Sequence, residues 1–265
     1  GKIHTNVHEA TLNVNPVRTK KIDWNFGFNF AKIDNYVDEL APGVESISLG
    51  GFVTPQVRAS VGEKFPVIYG SDFKRDDQGR LVVDADGKPM KGDDAVIGRA
   101  SPDFNLGFNT SIRFDKVRVA AVFDWKSGGQ MYHGSNNLLD FYGISKNTED
   151  RENPVIVSGV KEDGTPNDKG ISAQDYFDAM NGIDAASIYD NSFIKLREVS
   201  LSYNIYKNKW VDVTVSGFAR NILIWTELPN FDPEATQGNN NMAGAFERFS
   251  LPQTSSYGFG VSLKF

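Results

Sequence analysis

The sequence predicts an all-β fold, a transmembrane antiparallel β-barrel with long extracellular loops. Three observations predict it. Apolar residues recur at every second position in about seven separate runs, the period of a strand. The face between them is mostly Asn, Ser, Gly, Thr and Asp, which suits a wet barrel interior better than the charged outside of a soluble sheet. The connections alternate short and long, as the turns and loops on the two sides of a membrane barrel do. With 265 residues the chain suffices for one large domain or two small ones. Its lack of cysteine excludes a disulfide framework and thiolate metal sites. A net charge of −6 gives no electrostatic support to a nucleic-acid partner.

The elements follow in order. A weaker alternation over residues 6–15 is the first strand. In the second, residues 22–32, Ile22, Trp24, Phe26, Phe28 and Phe30 share one face, and Asp23, Asn25, Gly27 and Asn29 the other. The short turn 15–21 joins them, and a long segment, 34–101, follows. Strands over 102–114 and 117–127 meet at Asp115-Lys116, with Phe104, Leu106, Phe108, Ile112 and Phe114 on one and Val117, Val119, Ala121, Phe123 and Trp125 on the other. After the long segment 128–190, strands over 191–205 and 210–222 are joined by residues 206–209. The long segment 223–253 leads to a final run in which Tyr257, Phe259, Val261, Leu263 and Phe265 alternate to the end.

Strands of about 10–12 residues are long enough to cross a bilayer at a tilt. Trp125 falls near an outer end, and Tyr203 and Trp210 near inner ends, as an aromatic girdle requires. In this phase Gly27 faces water and Phe28 faces lipid, so arginine is expected to be tolerated better at Gly27. Seven strands cannot close a single-chain barrel of even count, and an unpaired edge in lipid costs several kcal/mol per backbone group. Together with Gly1 and the lack of an export signal, this predicts a fragment of a larger barrel.

Signals for catalysis are few. His4 and His8 have the spacing of a helical metal pair, but on a strand residues four apart lie about 13 Å from each other. They read as wet lumen or rim positions. Neither a nucleophile elbow nor a phosphate-binding loop occurs, so an enzyme is not expected and no cofactor is implied. Asp84-Ala-Asp-Gly87 opens like a calcium loop, but position 95, where the closing Glu belongs, is Ala, and a turn is the better reading. Residues 147–190 hold ten Asp/Glu against three Lys/Arg. They form either a solvated outer loop or a docking surface for a lid protein. Within them, Ile171 to Met180 reads as a short amphipathic helix capped by Ser172, with Asp175 at the capping-box position. Trp125, Tyr132, Tyr142 and Trp225 are candidate substrate contacts that could stack on sugar rings, and they fit loop anchoring or the girdle equally well.

Asn191-Ser-Phe-Ile-Lys-Leu-Arg-Glu-Val-Ser-Leu-Ser-Tyr-Asn204 resembles the near-C-terminal strand of the SusC/RagA family of TonB-dependent outer-membrane transporters. In order after it, Ser216-Gly-Phe-Ala-Arg-Asn-Ile-Leu-Ile-Trp-Thr226 is similar to the family's Gly-x-x-x-Asn-Leu-x-x-Trp-Thr segment, and Asp232-Pro-Glu234 to its Asp-Pro-Glu motif. The alternating, Phe-ending terminus also matches. Upstream, residues 70–79 and 84–89 resemble a family loop. Departures are Ile205-Tyr206 where proline is common, and Ile222 where the family has Leu.

The resemblance implies that residues 1–265 are the C-terminal portion of a 22-stranded barrel whose plug domain lies outside this chain. It implies TonB-energised uptake of oligosaccharides or peptides through the outer membrane of Bacteroidetes. It also implies a SusD-like surface lipoprotein over the mouth, and a barrel-assembly signal at Tyr257 and Phe265. The alternative is a secreted, soluble β-sandwich that recognises glycans. Its apolar faces would pack against each other instead of against outer-membrane lipid.

Overall fold

The computed structural model describes residues 1–237 and 244–265. Its main element is a seven-stranded antiparallel sheet: β1 (Lys2–Arg18), β2 (Ile22–Glu39), β3 (Phe104–Phe114), β4 (Val117–Ser127), β5 (Phe193–Lys207), β6 (Asp212–Thr226) and β7 (Ser256–Lys264). Each strand pairs with its neighbours in chain order, so the sheet is a meander with no crossover. All seven alternating runs are strands. The sheet is open, however. Among the described residues β1 pairs only with β2, and β7 only with β6, so no closed barrel is seen and the strands form one uninterrupted open sheet.

Several strands run past the expected 10–12 residues, with β1 and β2 at 17 and 18. The reason is visible in β2. Above Phe30 its outward positions change to Lys32, Asp34 and Tyr36, and Lys64 from the following segment bonds Asp34 at 2.7 Å. These ends stand above the apolar band as paired ribbon.

Cross-strand register sorts the side chains into two faces. One face carries a row of Phe30, Leu106, Trp125, Ile194 and Trp225, each opposite the next on adjoining strands. Lower down it carries Trp24, Ile112, Val119 and Leu201. Phe108 packs on Phe26 and Phe123 with ring centroids 4.8 and 5.9 Å away. The polar exception, Thr110, accepts from Trp24 Nε1 at 2.9 Å, so the two polar groups satisfy each other. No second sheet covers this face among the described residues: Ile112, Leu201 and Phe259 are 45, 55 and 91% exposed. A sandwich would bury them, so the described residues do not form one.

The opposite face is knit by small polar side chains. Thr11 donates to Asn29 at 3.1 Å, and the Asn15 amide donates to Asp23 and Asn25 at 2.9 Å each. Gly27 belongs here as expected, but without the expected room: a Cβ at Gly27 would meet the Asn109 amide at 2.5 Å. Arginine there must first displace Asn109, and the better inward test position is Gly107, where a Cβ meets nothing closer than Asp124 at 3.8 Å. Gly258 has a related role. Phe218 points inward and lays its ring where a Gly258 Cβ would sit, 2.4 Å away, so the glycine makes a notch for the ring.

Asn221 explains a motif residue. β6 is irregular between Arg220 and Leu223, opposite a register shift between Leu196 and Glu198 in β5. Asn221 takes φ +51 there, the left-handed region that Asn tolerates and β-branched residues do not. Asn221→Gly should leave thermal unfolding of the detergent-solubilised full-length receptor unchanged, while Asn221→Val should cost about 1–2 kcal/mol. Equal midpoints for the two variants would show that the left-handed residue is not required.

The turns between the wall strands are short, and Asp115 makes the β3–β4 turn with φ +53. The long segments all lie at the opposite end and fold on each other. Residues 46–99 form a four-stranded sheet. Its Val57 and Ile68 share an apolar core with Ala245 and Phe246 of the third long segment. The second long segment contains α1 (Gly134–Phe141) and α2 (Ala173–Asn181). As expected, α2 is capped by Ser172, whose Oγ accepts from the Asp175 backbone N–H at 3.0 Å and donates to its carboxylate at 2.6 Å.

Candidate lumen site

The polar face of the wall and the loop ends above it enclose a cleft of about 690 Å³, lined by residues including Thr11, Asn29, Asn105, Asp124, Arg197 and Glu234. Its charged floor is built from two motifs far apart in the chain. Strand alternation turns Lys195 inward, opposite Asp124, and the β5 irregularity also brings Arg197 to Asp124 and Glu198 to Arg220. Asp232-Pro233-Glu234 descends onto this patch. Lys195 Nζ lies 2.5 Å from Asp232 and 2.6 Å from Glu234. Arg197 binds Glu234 with two nitrogens, at 2.5 and 2.6 Å, and its Nε donates to Asp124 at 2.6 Å. The Asn191 amide, oriented by its partners, donates to Pro233 O and accepts from Lys126 Nζ.

This is a planar, bidentate Arg–carboxylate contact with a second cation behind it. Lys195 is 3% exposed and is paired with both carboxylates. Burial pushes the Glu234 carboxyl up, but the Arg197 and Lys195 hydrogen bonds outweigh it and hold the pKa at about 2. The two motifs thus form one clamp that fastens the third long segment to the inside of the wall. Chemically, the cleft offers amides, hydroxyls and internally balanced charges that can hydrogen-bond a polar solute.

A second buried cluster locks the loops. His133 and Glu247, both fully buried, are 2.5 Å apart. The other ring nitrogen of His133 meets Pro229 O at 2.8 Å, and Ser135 Oγ donates to Glu247 at 2.8 Å. Burial pushes the Glu247 carboxyl up, yet the His133 and Ser135 hydrogen bonds bring it below the ordinary value.

The four candidate substrate aromatics are not brought together. Trp125 and Trp225 lie in the outward row, 41 and 51% exposed. Tyr132 packs edge-on against Phe246 in the loop core, and Tyr142 stands 69% exposed at the end of α1. Tyr257 and Phe265 are exposed on the last strand and just beyond it. His4 stacks on Tyr36 at the upper rim, and His8 lies on the same outer side of β1, opposite Lys32. Asp84–Gly87 is a turn: Asp84 Oδ1 accepts from the backbone N–H of Asp86 and Lys88, and Gly87 has φ +88.

The acidic stretch 147–190 is less free than its composition implies. Lys74–Glu162 and Lys88–Asp175 are 2.6 Å ion pairs to the first long segment, Lys169–Asp86 is one of 2.7 Å, and Asp184 accepts from both the amide and hydroxyl of Ser71. The sequence alone gives Lys195, Arg197, Asp232 and Glu234 no role beyond membership of their motifs. The signal that could have found them is opposite charge, two residues apart in each motif.

No family model matches the chain. It is 24% identical over 305 aligned positions to TonB-dependent receptor P3 of Formosa agariphila, and 25% identical over 307 to TonB-dependent receptor P26 of the same organism. All of the chain is covered, but it spans only 29% of the length of each of these relatives. Among solved structures, the RagAB peptide importer in its open-open state matches 99% of the chain and 29% of its own, with TM-score 0.67 and 14% identity. The closed-closed state gives TM-score 0.64 and 16% identity, over 99% of the chain and 30% of its own. The resemblance to TonB-dependent receptors runs along the whole chain, and the strand-rich fold is similar to that of the RagAB structures.

Proposed function

We propose that residues 1–265 are the C-terminal part of the wall of a SusC-type, TonB-energised outer-membrane importer. The remaining strands, to about 22 in the complete barrel as in the family, and the plug come from the rest of the polypeptide. The cargo is an oligosaccharide or peptide, and a SusD-like lipoprotein closes the mouth. One observation carries this reading: a single sheet with an uncovered aromatic face on one side and a hydrogen-bonded polar face on the other. Such a sheet is stable only with lipid against the first and water against the second. The paired motifs of the clamp support it further, because they hold a loop where a conduit needs a fixed wall. Trp125 and Trp225 serve the girdle in this reading, Tyr132 anchors loops, and the exposed Tyr142 remains a cargo contact.

The test uses the full-length receptor in its native cell. It should fractionate with the outer membrane and require detergent for extraction. Uptake of its cargo should stop when the proton-motive force is collapsed. A receptor found in the soluble fraction would sink the reading. Phe265 lies beyond the last ladder pair, Asp212–Lys264, and is 98% exposed, free to be read during assembly along with Tyr257. Deleting Phe265 should lower the amount of receptor at the cell surface severalfold, and unchanged surface labelling would remove it as an assembly signal.

A further inference from the structure

The turn end of the inward face carries an unbalanced charge. Arg113, Lys116, Arg118, Lys207 and Lys264, against Asp115 and Asp212, line a cavity of about 640 Å³. This occurs in a chain whose net charge is −6. Arg113 and Arg118 stand directly opposite each other on β3 and β4, a placement of like charges that destabilises a sheet. Lys207 is paired with Asp212 at 3.1 Å, and Arg113 reaches Asp23 only at 3.9 Å. Arg118, Lys116 and Lys264 make no ion pair among the described residues. At the loop end, by contrast, two carboxylates of the acidic stretch, Glu162 and Asp175, are met by Lys74 and Lys88 of the first long segment. The inward patch thus gathers five cations against two carboxylates at one end of the wall. Ser202 and Thr214 lie beside it and add hydroxyl groups.

We propose that this patch is a binding site for the negatively charged groups of the cargo. The cargo in this view carries carboxylates, whether on acidic residues of a peptide or on the sugar acids of a glycan. The inference rests on the importer reading and narrows its substrate class. Guanidinium groups on adjoining strands, with a cavity before them, can bind carboxylates in a fork geometry, and an occupying anion removes the Arg113–Arg118 repulsion.

The experiment uses the full-length receptor in detergent, with labelled hexaglutamate, hexaglutamine, an oligogalacturonide and a neutral oligosaccharide of the same length. One acidic probe should bind at low salt and be released in about 1 M salt, where charges a few ångströms apart are screened, while the neutral probes should not bind. Whichever acidic probe binds identifies the carrier. Arg113→Gln combined with Arg118→Gln should weaken that binding about tenfold or more, with thermal unfolding no lower than the parent's, since the pair repels. Arg118→Gln alone serves if the double variant does not fold. Binding by neither acidic probe, or binding that both variants leave unchanged, overturns the site. A photo-crosslinker at Ser202 that captures the receptor's own chain, undisplaced by the acidic probes, overturns a cargo role. A receptor that sits in the outer membrane yet ignores both acidic probes sinks only this inference, whereas a soluble receptor sinks the importer reading itself.

Discussion

Phe108→Arg should destabilise the assembled full-length receptor by about 2–4 kcal/mol, while Gly107→Arg, one residue away, should cost under about 1 kcal/mol. Phe108 sits between Phe104 and Phe114 on the outward face and contacts both Phe26 and Phe123. Replacing it removes two aromatic contacts and, in the importer reading, places a cation among acyl chains. Gly107 faces inward, with open space before the Asp124 carboxylate. An arginine there gains water and an acidic neighbour. The measurement is the denaturant midpoint of receptor folded into lipid vesicles. Equal losses at the two positions would mean that the inside and outside faces are assigned wrongly, and the importer reading would fall with them.

The same alternation makes the wall legible in the amino-acid sequence. Trp24 to Phe30 and Val117 to Trp125 announce both strand and face, because a two-residue period is a local property. Three of the six pairings are also legible, because short turns such as Asp115-Lys116 leave those neighbours no choice but to be antiparallel. Strand ends are not. In β2 the outward apolar alternation stops at Phe30 although the ribbon continues to Glu39, because in the importer reading nothing selects apolar side chains beyond the lipid. The loop sheet, 46–99, escapes sequence reading for a different reason. Its strands are short, interrupted by Gly and Pro, and stabilised by contacts with residues such as Phe246 more than a hundred positions away. The clamp is hidden in the same way. Lys195 and Asp232 are 37 residues apart, and only folding shows that they meet. The free acidity expected of residues 147–190 is a composition argument, and composition does not show that Lys74, Lys88 and Asp86, from another segment, are partners of that stretch.

That clamp has the second large effect. Glu234→Ala should release the third long segment from the wall and cost about 3–5 kcal/mol, because it removes one of the two carboxylates on the buried Lys195 and the partner of both arms of the Arg197 fork. Asp232 still faces Lys195, so the loss should sit toward the lower end of that range. Acid should do the same to the parent. Glu234 holds its proton at about 2 when folded, against an ordinary 4.5. A lowered carboxylate pKa stabilises the folded state above the unfolded value, so the contribution is complete above about pH 5. It falls away as pH drops from about 4.5 through about 2. Protease accessibility of the segment around Asp232, followed against pH in the detergent-solubilised receptor, reads this directly. The parent should be protected at pH 6 and cut increasingly as the pH is taken below 4.5. Glu234→Gln should be cut already at pH 6, with little further change on acidification. A parent segment equally protected at pH 3 and pH 6 would show that its docking rests on the surrounding apolar contacts and not on this carboxylate.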